Sequence, residues 1–180
     1  MIEVVAGDEL DDSALRLEPI RVGRVPRHPP TPDLYVVAGD GERARLRVDV
    51  YGDAGAEAFC FTDAIRWRGW VVIGVGHQVH LVALDGQTTR RLPLGAYFGS
   101  LYPGETFLLV ASATSLSCVA PEGELRRTSG MLGIDGVVID EVRDGIVCGE
   151  GEWDPPGGWV PFQVSLESGR RVETASSAPG

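Results

Sequence analysis

The stretch Trp70–Gly86, WVVIGVGHQVHLVALDG, decides the reading of this 180-residue chain. It holds two apolar runs, WVVIGV and QVHLVAL, separated by Gly76-His77, which is short enough for a tight turn. Short unbroken apolar runs rich in Val and Ile, bounded by glycine turns, read as strands buried on both faces. Asp85-Gly86 closes the second run with another turn signal.

The same pattern returns downstream. Phe107–Gly123, FLLVASATSLSCVAPEG, aligns with Trp70–Gly86 without a gap at an offset of 37 residues. Val82/Val119, Ala83/Ala120 and Gly86/Gly123 are identical, and an Arg pair follows each copy: Arg90-Arg91, then Arg126-Arg127. A third copy reads GIVCGEGEW, an inserted DPPGG, then VPFQVSLESGRR, ending in the pair Arg170-Arg171. One more strand-like run precedes each copy, at Phe59–Trp67, Tyr97–Tyr102 and Gly136–Val142, so each unit holds about four short strands.

Tandem four-stranded units of this length resemble the blades of a β-propeller of the WD-repeat or a related type. The resemblance covers residues 59–172 and rests on strand order and length. No Gly-His/Trp-Asp signature recurs, and the one Trp-Asp pair, Trp153-Asp154, lies at the inserted segment. It implies an all-β fold of repeat-built antiparallel sheets, propeller-like, within a single domain over residues 1–180. Its parts are three blade-like units (59–94, 97–131 and 136–172) and an N-terminal hairpin (34–52). A twisted β-sandwich is the alternative architecture. Three units fall short of a closed propeller. The hairpin supplies a degenerate fourth blade, two chains pair into a larger ring, or the repeats are meanders of a twisted sandwich.

Residues 1–33 read as an extended N-terminal segment. Met1–Asp12 sets Ile2, Val4 and Val5 before Asp8, Glu9, Asp11 and Asp12, an edge strand or a frayed end. Pro19, Pro26, Pro29, Pro30 and Pro32 argue against a regular helix or a central strand over Ser13–Pro32. From Leu34 to Gly52 the text becomes a hairpin turning at Gly39-Asp40-Gly41. There Leu46, Val48 and Val50 share one face while Arg45, Arg47, Asp49 and Tyr51 share the other. That alternation predicts one packed side and one wet side. Asp53–Ala58 is too brief for more than a turn, and 174–180 reads as a disordered tail.

A formal charge of −10 disfavours nucleic acid and anionic membrane as partners, because phosphate binding needs a basic face. It suits a basic partner. All sixteen basic residues are Arg, a habit of coding more than of binding. Cys60, Cys118 and Cys148 are odd in number and sit in apolar runs, which predicts buried free thiols in a reducing compartment. With no leader-like start and no apolar run of bilayer length, the expected location is the cytoplasm.

No constellation points to catalysis. His77 and His80 share a metal only if Gly76–Gln78 turns, and no second ligand pair follows. Gly99-Ser100 lacks the flanking glycine of a nucleophile elbow. The glycines open no helix that cradles a phosphate. Arg66-Trp67-Arg68 reads as a solvated turn over a packed Trp67. The acids between Asp135 and Asp154 match no calcium loop. No catalytic residue, metal or cofactor is therefore assigned.

The stretch GEGEWDPPGGW, Gly149–Trp159, stands out. Glu150 and Glu152 alternate with glycines and so project from one face of a strand end. Trp153 and Trp159 flank a proline-stiffened insertion. Glu150, Glu152, Trp153, Asp154 and Trp159 form the candidate partner-binding set, suited to Arg- or Lys-bearing surfaces through ion pairs and cation–π contacts. The competing expectation is that both tryptophans fold inward and pin the hairpin. The resulting expectation is a non-catalytic protein–protein recognition module, in concrete form an acidic inhibitor or immunity-type protein binding a basic partner. The alternatives are a small-molecule-binding protein or hydrolase with its site in a central funnel, and a homodimer joined through open sheet edges.

Overall fold

The computed structural model describes residues 3–7, 10–25, 27, 31–40, 43–52 and 61–172. The expected turn at Asp53–Ala58, Cys60, the hairpin tip at Gly41 and the tail 174–180 lie outside the described residues. The described residues form an all-β fold with one helical turn, and contacts divide the chain into two compact units, Met1–Leu101 and Tyr102–Gly180.

The first unit opens with β1 (Glu3–Gly7), α1 (Asp12–Leu15) and β2 (Ile20–Gly23). The expected hairpin follows as β3 (Leu34–Asp40) and β4 (Arg43–Tyr51). Their sheet has the order β1-β3-β4-β2, with β1 on one edge. The segment Ser13–Pro32 is therefore more than an extended surface strap: it contributes to α1 and supplies β2, which runs parallel to β4 from Ile20↔Val48 to Gly23↔Tyr51. An edge is the place where the neighbouring prolines do no harm, since they leave only the outward ladder unmade. Gly23 is obligatory there. Its φ is 89°, and a Cβ would lie 1.9 Å from the Tyr51 carbonyl oxygen.

Four consecutive strands, β5 (Thr62–Trp67), β6 (Trp70–Val75), β7 (Gln78–Ala83) and β8 (Thr89–Pro93), form the second sheet in sequence order. Val71, Ile73, Val75 and Val82 pack on Val22, Val36, Val48 and Val50 of the first sheet. Every residue of 71–75 and 78–82 is buried, the double burial that the unbroken apolar runs predict. Gly74 faces away from the first sheet and leaves room for the ring of Phe98, whose N–H donates to the Gly76 carbonyl at 2.6 Å.

The third sheet adds β9 (Phe98–Pro103), β10 (Leu108–Ser112), β11 (Leu116–Val119) and β12 (Leu125–Thr128), again in sequence order. The last sheet holds β13 (Gly136–Arg143), β14 (Ile146–Glu152) and β15 (Trp159–Ser165). Within the second unit these two sheets pack through Leu109, Leu116 and Cys118 against Ile139, Val147, Phe162 and Val164. Gly86, Gly123 and Gly169 all have positive φ, at 73°, 81° and 70°. The first two close the same turn, their N–H groups donating three residues back to Ala83 and Ala120, whereas Gly169 donates four residues back to Ser165.

The alternation of β4 is misleading in one respect. Leu46, Val48 and Val50 face the core as expected, but the opposite face is wet only at its start: Arg45 is exposed, whereas Asp49 and Tyr51 are buried. The helical turn α1 packs on β4 and buries Ala14. Asp11 caps that turn by accepting from the Ala14 N–H and the Ser13 hydroxyl, both at 2.8 Å. These bonds, the Ala14 N–H first, hold the Asp11 carboxyl below its usual range.

Two expectations follow. Gly74→Ala places a methyl 2.1 Å from the Phe98 ring and destabilises the protein by about 1–3 kcal/mol in urea unfolding. Gly69→Ala, which meets open space, stays within about 0.5 kcal/mol of wild type. Because the folded pKa of Asp11 is depressed, its contribution is present above the ordinary carboxylate pKa and lost as pH falls through the folded value. Asp11→Ala accordingly shows a shallower loss of stability than wild type below about pH 4.

Candidate partner-binding face

The glycine–glutamate alternation of β14 has a packing cause. A Cβ on Gly149 would lie 2.1 Å from the Val138 carbonyl oxygen and 2.8 Å from the Phe162 ring. A Cβ on Gly151 would lie 1.9 Å from the Leu132 carbonyl oxygen. Only glycine fits at these two inward positions. The period of two then sends Glu150 and Glu152 to the outer face.

Register fixes their neighbours. Gly136, Glu152 and Trp159 lie side by side across the three strands, as do Val138, Glu150 and Pro161. The tip of the Trp159 indole lies over Gly136, where a Cβ would meet Cη2 at 2.9 Å and Glu152 Oε2 at 3.6 Å. Glu150, Val138 and Pro161 are exposed beside it. Glu150, Glu152 and Trp159 thus share one face, with Glu141 and Cys148 further along it.

The insertion closes on itself. Trp153 N–H donates to the Gly158 carbonyl at 2.8 Å, Gly158 N–H to the Asp154 carbonyl at 2.9 Å, and Gly157 N–H to Glu152 Oε1 at 2.7 Å. Glu152 is therefore a turn-holding residue as well as a surface acid, while Asp154 sits exposed in the loop. The tryptophans neither fold into the core nor stand free: Trp153 and Trp159 are 37% and 40% exposed, against 4% for Trp67. A rigid, half-open aromatic surface flanked by carboxylates is suited to cation–π and charge-assisted contacts.

The open edge of β15 is poor at adding another strand. Its outward positions are Trp159, Pro161, Gln163 and Ser165. Pro161 has no N–H, Trp159 donates to Gly157, and Ser165 donates to Arg170.

Elsewhere, His77 lies exposed in the β6–β7 turn while His80 is buried on β7, opposite Ile73 and Arg91. Among the described residues no three His, Cys, Asp or Glu side chains gather in a way that would hold a metal ion. Trp67 packs directly opposite Trp70, with Arg66 and Arg68 exposed. No helix among the described residues is long and apolar enough to cross a membrane.

Sequence reasoning missed a buried ion pair. On β4, Arg47 donates from Nε and Nη2 to the two carboxylate oxygens of Asp49, at 2.7 and 2.9 Å. The Arg47 guanidinium also sits 5.4 Å from the centre of the Tyr35 ring. No partner or ligand contact is needed to explain this group, because each member satisfies another. The signal was present as Arg-x-Asp on one face of a strand, but an i, i+2 pair reads equally well as solvated surface.

Removing one partner tests this. Asp49→Ala leaves a guanidinium uncompensated and costs about 3–5 kcal/mol. Arg47→Met combined with Asp49→Leu recovers most of that loss in the same denaturant titration.

No protein-family model matches this chain, and no curated protein is significantly similar to it.

Proposed function

We propose that this chain is a non-catalytic recognition module that docks a basic protein on the outer face of its last sheet. The observation that carries this reading is the side-by-side presentation of Trp159, Glu150, Val138 and Pro161, an aromatic and aliphatic strip with an exposed acid at its centre. Aromatic anchors flanked by charge are the usual energetic centre of an interface. The formal charge of −10 favours encounter with a cationic surface. The closed loop 153–158 supports the reading too, since an ordered loop loses little entropy on binding. An acidic inhibitor or immunity-type protein that covers the basic active surface of a nuclease is its concrete form. Homodimerisation is the competing use of the same strip.

The reading includes a propeller-like arrangement. It is supported by three sheets that each take their strands in sequence order, and by face-to-face packing of sheets within each unit. The shared turn geometry of Gly86 and Gly123 agrees with a repeated unit.

An arginine-rich peptide serves as the basic probe. Titrated at low ionic strength, it binds and quenches tryptophan fluorescence, and the affinity falls as salt rises. Glu150→Gln combined with Trp159→Ala weakens binding about tenfold or more while the thermal midpoint holds. Unchanged affinity in that variant removes this face as the site.

A further inference from the structure

The outer face of the last sheet is charged unevenly from end to end. Register arranges its side chains in rows across the strands: Val138, Glu150 and Pro161 hold one row, Cys148 the next, and Arg143, Ile146 and Ser165 the third. Ser165 N–H donates to the Arg170 carbonyl at 2.9 Å, which brings Arg170 up to the end of that third row. Glu150 and Glu152 therefore mark one end of the face, and Arg143 and Arg170 the other. Glu141 lies beside Arg143, 3.8 Å from Nη2, in a pair that is itself well exposed. Glu150, Arg143, Arg170, Val138 and Pro161 are exposed, and Ile146 is half-buried.

The Cys148 row lies midway between the two ends. Side chains on one face of a strand repeat about every 6.7 Å, so the Glu150 row and the Ile146 row stand equally far to either side. A half-turn about an axis along the Cys148 row, in the plane of the face, exchanges them. A second copy laid on the face by that half-turn sets the partner's Ile146 between Val138 and Pro161. The partner's Arg143 then lies one strand across from Glu150, about 4.8 Å aside and within reach of a guanidinium. Symmetry repeats each contact with the roles reversed. A half-turn about an axis along the strands would instead stack like charge on like, which opposes that arrangement.

We propose that this face pairs with a second copy of this chain about the axis through the Cys148 row, and so covers itself when no basic partner is present. The inference rests on the reading of this face as the docking surface and names its resting occupant. The three strands offer a footprint of about 15 by 23 Å, small beside the roughly 800 Å² that each partner buries in a standard interface. The dimer is therefore weak, and a basic partner that binds more tightly displaces it.

Charge exchange tests the axis as well as the dimer. Followed by sedimentation from micromolar to millimolar concentration at low ionic strength, wild type dimerises, and the dimer weakens as salt rises. Glu150→Arg and Arg143→Glu each raise the dissociation constant about tenfold or more, because each alone opposes like charges at both contacts. Both positions are exposed, so neither substitution disturbs the core. Mixed in equal amounts, the two variants pair with each other, since the half-turn then opposes unlike charges at both contacts. The two substitutions combined in one chain restore self-pairing. Stacked sheets lie about 10 Å apart, so a short bis-maleimide joins Cys148 to Cys148 of the partner subunit, read on the linked peptide by mass spectrometry. A wild type that stays monomeric at millimolar concentration, single variants that dimerise as wild type does, or a mixture that fails to pair would each overturn the proposal. The arginine-rich peptide separates this inference from the recognition reading. A monomeric wild type that binds the peptide loses only the self-pairing. A dimer that the peptide neither binds nor dissociates upholds the self-pairing and removes the recognition reading.

Discussion

Burial on both sides of the central hairpins is the constraint from which the rest of this structure follows. β6 with β7, and β10 with β11, are buried almost end to end. A strand without a wet face has no place for an exposed polar side chain. Polar residues survive there only where neighbours can serve them: Ser112, for example, accepts from the Ser115 N–H and donates to its carbonyl. Backbone and rings must also approach closely, which is why Gly74 stands beneath Phe98. Surface chemistry is pushed to turns, to sheet edges and to the outer face of the last sheet.

That last sheet separates its two faces by the period of two along each strand. On β14 and β15, Val147, Gly149, Phe162 and Val164 turn inward while Glu150 and Pro161 turn outward. The acids gather outside with Trp159. A net charge of −10 hides this division. Opposite faces of one three-stranded sheet therefore differ in chemistry, apolar core on one side and carboxylates with an aromatic ring on the other.

The first sheet handles charge differently. Asp49 is taken out of water, a desolvation that only a well-shaped partner offsets. Arg47 supplies it from two residues away on the same strand, with Tyr35 beneath the guanidinium. The same strand also carries α1, which is capped by Asp11 and packs through the small Ala14. A larger residue at position 14 would not sit so close to β4.

Much of the fold was legible in the order of residues. Unbroken apolar runs such as WVVIGV announced strands buried twice over, and closing glycines such as Gly86 and Gly123 marked turns, because both signals depend on neighbours along the chain. The outward projection of Glu150 and Glu152 was legible for the same reason: alternation is a local property of a strand. What needed the tertiary structure was everything set by contact between distant segments. The packing of α1 on β4 joins segments more than twenty-five residues apart in the chain. The half-open posture of Trp159 depends on Gly136. Periodicity says which way a side chain points. Only packing says whether water is waiting there.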